Sequence, residues 1–312
     1  MARKRRSAAF AIAFGCVGLA MLVFDRISVS GFVRPAPLPL ITSSPIMACG
    51  RIAKAGYYEV DNPLFANPEP GDCLQISAPN VSLNLNGQDV SSTSGNGVGV
   101  HVMPTGAHAF IEGRGATIAG FGEGVEIDGL NAFAEYFVTE KNSDAGVLLN
   151  RAHQAYVANF ITNGNSFDGV RLASAAQSAI ESFSASGNNR YGVWLLGASH
   201  NTVSGFSISD NTIAGVYLGC AFNGPKGTCE GPPLKSAFNA IFDGSATTSQ
   251  NAPLEDYGVA IDLGNLSNRV INIVAQWNTT QDIYDANTAP CGRNLWFALD
   301  VIKTPALGGC SD

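Results

Sequence analysis

The amino-acid sequence predicts an all-β solenoid of stacked parallel coils, each about 23 residues long. Gly-Val recurs at Gly99-Val100, Gly124-Val125, Gly146-Val147, Gly169-Val170, Gly192-Val193, Gly215-Val216 and Gly258-Val259, at intervals of 25, 22, 23, 23, 23 and 43. Four residues before the glycine stand Asn142, Asn165, Asn188 and Asn211; nine before it stand Phe137, Phe160, Phe183 and Phe206, both series in steps of 23. No repeat carries helical periodicity. Each unit instead holds two short β-like runs parted by Asn and Gly turn signals.

Taken in chain order, residues 1–30 read as an export signal, with basic "ARKRR" ahead of an apolar run and a cut before Gly31, or as an uncleaved N-terminal anchor. Residues 31–46 form a Pro-rich linker, and 47–98 an N-terminal cap with the first coils, since a solenoid must protect its terminal strand layer. Coils occupy 99–279. The long interval between Gly215 and Gly258 reads as one coil plus a loop excursion at 219–236. Residues 280–312 close the solenoid. Export makes the six cysteines that remain after residues 1–30, which hold the seventh, Cys16, disulfide partners. Their 15 pairings stay open, with neighbours favouring Cys49–Cys73, Cys220–Cys229 and Cys291–Cys310. No Cys-x-x-Cys occurs, which argues against zinc.

Stacked coils place equal positions about 4.8 Å apart. The Phe column then becomes an internal stack and the Val and Leu of Gly-Val-x-Leu become aliphatic ladders. The Asn column becomes a ladder of side-chain amides, and the glycine supplies an unusual turn or simply room. His200 aligns with Gln154 and Gln177 as a polar stacking position. Asp144 and Asp168 sit in turns that favour aspartate.

The repeats, with "GDCLQISAPNVSLNLNGQDV" at 71–90, resemble right-handed parallel β-helix proteins of the pectin-lyase-like superfamily, of the NosD-like short-repeat kind. The resemblance implies a right-handed parallel β-helix. For activity it implies a range: polysaccharide lyases, glycoside hydrolases, uronate epimerases, esterases and non-enzymatic binding or structural proteins. The polygalacturonase, alginate-epimerase, pectate-lyase and pectin-esterase motifs are all absent. Fold alone does not choose among the remainder.

Charge narrows the partners. The net charge is −7, and it falls to −11 without residues 1–30, which hold five of the 18 basic and one of the 25 acidic residues. Such a field disfavours nucleic acid and anionic membranes. The outward "x" column runs His101, Glu126, Leu148, Arg171, Trp194, Tyr217 and Ala260. Arg171, Trp194 and Tyr217 are read as an exposed stripe for sugar rings and an acidic group. Glu126, Asp128 and Asn150 form an oxygen-rich corner suited to Ca²⁺ or to acid/base work; no cofactor is otherwise required. The expected function is a secreted or periplasmic protein that binds or organises glycan. The alternative is a lyase or hydrolase of acidic polysaccharide on the same face.

Overall fold

A computed structural model describes residues 43–66, 71–220, 235–248, 255–287 and 294–303. The signal or anchor segment, Cys229, Cys291 and Cys310 lie outside them. Within them the chain is an all-β parallel solenoid of about nine turns.

Every coil contributes to two parallel sheets. The Gly-Val-x-Leu segments make a ten-stranded sheet running from Gly50–Ile52 through Leu74–Ile76, Val98–Val102, Glu123–Ile127, Ala145–Asn150, Asp168–Ala173, Tyr191–Leu196, Ala214–Leu218 and Tyr257–Ile261 to Gln281–Asp285. The Phe-bearing segments, such as Tyr156–Asn163, Ala179–Ser186 and Thr202–Ser209, belong to the second sheet. Register is kept at 23 residues, with Val170 opposite Val193 and Phe160 opposite Phe183. Ala214–Leu218 pairs directly with Tyr257–Ile261, so the long interval is one coil with an excursion. Two boundaries shift. Ser44–Ile46, inside the expected linker, is already a strand paired with Gly56–Val60. Gln281–Asp285 and Leu295–Val301 carry both sheets into the expected closing segment.

Corners are built from left-handed residues. Arg151, Gln154, Asn159 and Gly164 have φ between +54° and +59°, and the same four positions recur 23 and 46 residues later as Ser174, Gln177, Ser182, Gly187 and Gly197, His200, Gly205, Asp210. His200 therefore occupies a strained corner, one that His tolerates better than most side chains. The repeat of the strain in three successive coils fits its being imposed by coil-to-coil hydrogen bonding. The Gly column supplies room, not left-handed dihedrals. A Cβ at Gly192 would stand 2.4 Å from Ile208 Cγ2 and 2.7 Å from the Gly215 carbonyl oxygen.

The core lies between the sheets. Val147, Val170, Val193 and Val216 are fully buried, as are Leu149, Leu172, Leu195 and Leu218. Phe137, Phe160, Phe183 and Phe206 stack with centroids 5.3, 5.1 and 5.9 Å apart. Small residues bound the stack, Ala116 opposite Phe137 and Gly244 beside Phe206.

The amide ladder forms as expected. Asn165 Nδ2 donates to Asn188 Oδ1 at 2.9 Å, and Asn188 Nδ2 to Asn211 Oδ1 at 2.9 Å, while each backbone N–H donates to the same acceptor at 3.1 Å. A second ladder, Asn201–Asn239–Asn268–Asn294, was not expected. The first ladder ends on Glu255, whose Oε1 accepts from Asn211 Nδ2 at 3.5 Å. Burial pushes the Glu255 carboxyl well above its ordinary value, and its Oε2 has no hydrogen-bond partner. At the N-terminal end Cys49 and Cys73 are bonded, tying the first two strands of the ten-stranded sheet. Cys220 is also disulfide-bonded, and its expected partner Cys229 lies outside the described residues.

Two outcomes follow from this packing. Phe183→Ala, in mid-stack, should lower the unfolding free energy by about 3–5 kcal/mol in urea titrations. Glu255 has a raised folded-state pKa, so it contributes instability that grows as pH rises from its ordinary 4.5 toward the folded value. Glu255→Gln should therefore gain stability over the parent as pH rises above 4.5, read from thermal midpoints at pH 4 to 9.

Candidate functional site

The "x" column runs along the outer side of the ten-stranded sheet in strict register: His101 opposite Glu126, Arg171 opposite Trp194, Trp194 opposite Tyr217. Alternation along each strand turns these side chains away from the core. What they meet there differs between the two halves of the solenoid.

In the C-terminal half the expected stripe is not exposed. Trp194 and Tyr217 have no solvent-accessible surface; with Tyr191, Ala214, Tyr257 and Ala260 they form a second apolar cluster outside the sheet. Tyr191 stacks on Tyr217 at 4.7 Å, and Trp194 Nε1 donates to the Gly219 carbonyl at 2.8 Å. The physical reason is that an outward direction sets orientation, not exposure. Tyr191 and Tyr257, each just before a Gly-Val pair, swing onto the same face and close over the column. Arg171 does lie against Trp194, with its guanidinium carbon 5.3 Å from the ring centroid, but its donors are already taken. Its Nε donates to Asp168 Oδ2 at 2.7 Å and its Nη1 to Asp144 Oδ2 at 2.9 Å. Arg190, nearly buried, grips Asp168 through Nε at 2.9 Å and Nη2 at 2.7 Å and lies 4.5 Å from the Trp194 centroid. Asp144 and Asp168 thus do more than shape turns. Asp168, fully buried, binds two guanidinium groups together.

In the N-terminal half the face is polar and partly open. His101 Nδ1 lies 2.7 Å from Asp72 Oδ2, and its Nε2 lies 3.2 Å from Asp128 Oδ2 and 3.9 Å from Glu126 Oε2. These four side chains keep 12–16% of their surface exposed. Burial works to lower the His101 pKa, but the hydrogen bonds it donates to Asp128 and Asp72 and the charge of Glu126 outweigh it and carry it to about 10. Burial raises the Glu126 carboxyl above its ordinary range. Asn150 departs from expectation. Its Nδ2 donates to Glu126 Oε1 at 3.2 Å, so the amide fixes that carboxylate and does not offer it an oxygen neighbour. Asp72 and His101 were not among the expected site residues, although His101 and Glu126 are successive members of one column.

Between the halves stands Glu123. Burial first, then the charge of Asp144 and of Glu126 and a hydrogen bond to Asp144, push it up to about 7. Asp144 moves the other way. Burial would raise it, but the hydrogen bonds and charge of Arg171 hold it below its ordinary value. Two touching carboxyl groups therefore titrate apart.

A parallel β-helix with such a lateral face is a protein of the pectin-lyase-like fold. More particularly, residues 75–224 match the family model described as periplasmic copper-binding protein (NosD). Among solved structures the chain is similar to the Dettilon tailspike protein, at 12% identity and a TM-score of 0.61 over 83% of this chain and 60% of that one. It is also similar to endo-xylogalacturonan hydrolase from Aspergillus tubingensis, at 12% identity and TM-score 0.56 over 80% and 84% of the two chains. The Azotobacter vinelandii mannuronan C-5 epimerase AlgE6 A-module gives 12% and 0.50 over 84% and 92%. The chain spans less than two thirds of the tailspike, and these identities establish the fold alone. No curated protein matches the sequence.

Removing Asp168 would leave two packed guanidinium groups without their shared anion. Asp168→Ala should cost about 3–5 kcal/mol, the range for breaking a buried ion pair from one side. It should also disturb Trp194, which both guanidinium groups flank, so tryptophan fluorescence and denaturation midpoints should change together.

Proposed function

We propose that the protein acts on a neutral glycan at the outward carboxylate face of the ten-stranded sheet, with Glu123 as proton donor. The observation that carries this reading is the Glu123–Asp144 pair, in which one carboxyl is held protonated near neutrality and its neighbour ionised. Oppositely displaced pKa values in adjacent acids are what acid/base chemistry at neutral pH requires. Burial of Trp194 and Tyr217 removes the aromatic platform on which a purely binding role rested. The surplus of carboxylates at Asp72, Glu126 and Asp128 opposes an acidic polysaccharide. Support also comes from the fold, which is shared with an endo-xylogalacturonan hydrolase.

In this reading Glu123 delivers its proton to the departing glycosidic oxygen. Asp144, at hydrogen-bond distance, is too near to be the opposing base, since the two carboxyls of glycoside hydrolases stand about 5–9.5 Å apart. Asp144 keeps the donor protonated, Arg171 keeps Asp144 ionised, and the opposing carboxylate comes from the Glu126–Asp128 side. The matched family is described as periplasmic, in keeping with the export signal read in residues 1–30. Its description as copper-binding supports a second reading, in which this face carries a cation: His101, Glu126 and Asp128 offer an imidazole and two carboxylates.

Incubation with neutral polysaccharides, followed by reducing-end analysis, tests the first reading. Activity should be lost as pH rises through about 7, because Glu123 must hold its proton. Glu123→Gln should cut the rate on the order of 100-fold or more. Binding without product across the panel would replace catalysis with glycan binding; no binding at all would remove the glycan.

A further inference from the structure

We infer that His101, Glu126 and Asp128 form a binding site for a divalent transition cation, Zn²⁺ or Cu²⁺, with Asp72 orienting the imidazole. The inference deepens the cation reading and is independent of the glycan. It rests on three features of the geometry. First, the donors converge: one ligating atom from each of the three residues lies within 4.8 Å of the others. Two donors each about 2.0–2.1 Å from a tetrahedral ion stand about 3.3 Å apart. His101 Nε2 and Asp128 Oδ2 are 3.2 Å apart, already at that spacing. Glu126 Oε2, at 3.9 Å, closes the remainder by a small side-chain rotation.

Second, the outer support of a metal site is in place. His101 presents Nε2 to the two carboxylates while Nδ1 meets Asp72 Oδ2 at 2.7 Å, the carboxylate–histidine arrangement that fixes tautomer and ring plane for a metal ligand. Asn150 holds the other oxygen of Glu126. Third, the cluster is short of positive charge. Among the described residues no lysine or arginine pairs with Asp72, Glu126 or Asp128. Even a protonated imidazole leaves two of three negative charges unmatched. Asp128 Oδ1 is also sealed from solvent without a hydrogen-bond partner. The imidazole selects a borderline cation over Ca²⁺, which prefers six to eight oxygens.

The test is equilibrium dialysis of the chelator-stripped full chain against Zn²⁺, Cu²⁺ and Ca²⁺ separately, with bound metal counted by mass spectrometry. One equivalent of Zn²⁺ or Cu²⁺ is expected, with Ca²⁺ much weaker. His101→Ala and Asp128→Asn should each weaken binding by 100-fold or more, and Asp72→Asn by about 10–100-fold, as outer-shell partners do. With Cu²⁺ bound, electron paramagnetic resonance should show nitrogen coupling that His101→Ala abolishes, while circular dichroism confirms the fold of each variant. No retained transition metal, or unchanged affinity in folded His101→Ala and Asp128→Asn, would overturn the site. Calcium bound as tightly as Zn²⁺ would also overturn it. The measurement uses no sugar, so its failure leaves the Glu123 proposal standing, and the reverse holds.

Discussion

Parallel hydrogen bonding between neighbouring coils, in a register kept at 23 residues, is the constraint from which the rest of the structure follows. It brings each side chain to about 4.8 Å from its own counterpart in the next coil. A residue can fill a column only if it tolerates a copy of itself at that distance. Phenylalanine does so by face-to-face contact and valine and leucine by dispersion. Asparagine does so by donating from Nδ2 and accepting at Oδ1. Charged residues do not, and among the described residues no column of the core is built from charged side chains. Asp144, Asp168, Arg171 and Arg190 carry charge into the repeat as pairs: Arg171 with Asp144 and Arg190 with Asp168 across coils, and Arg171 with Asp168 within one.

The outer column of the ten-stranded sheet breaks the rule of likeness. From Gln75 through His101, Glu126, Leu148, Arg171, Trp194 and Tyr217 to Ala260 no two neighbours match. Its stability must then come from particular partners. In the C-terminal half those are aromatic rings and guanidinium groups, which close on one another and exclude water. In the N-terminal half they are carboxylates around one imidazole, which remain in contact with solvent and under-compensated. The face grades from a second core to a polar, partly open surface, and Glu123 and Asp144 lie at the junction.

This division explains what was legible in the sequence. Inward columns repeat a residue type, so periodicity exposed the Phe stack, the aliphatic ladders and the first Asn ladder. The second ladder escaped because its members lie 38, 29 and 26 residues apart, spacings stretched by the excursions. The left-handed corners escaped for another reason. Arg151, Ser174 and Gly197 share a dihedral and nothing else. On the outer face the direction of Trp194 and Tyr217 was readable from alternation, but their burial was not, since it depends on Tyr191 and Tyr257 closing over them. Asp72 was invisible as a partner of His101 because 29 residues and a coil boundary separate them.

A solenoid's stability is approximately a sum over coils and their interfaces, so a locally unfavourable patch must be offset near where it occurs. Asp72, Glu126 and Asp128 concentrate like charge on the coils between residues 72 and 128, close to the N-terminal end, where the stack has fewest neighbours. Asp72 directly precedes Cys73, which is bonded to Cys49 on the preceding coil. The backbone that carries Asp72 is thus fastened covalently to the layer beneath it. Its Oδ1 accepts the Val98 N–H from the layer above at 3.0 Å. Held from both sides, Asp72 stays against His101; burial would raise its carboxyl, but the hydrogen bonds and charge of its partners hold it below its ordinary value. The imidazole stays aimed at Glu126 and Asp128, and the negative charge that the coils alone would disperse remains concentrated at one point on the face.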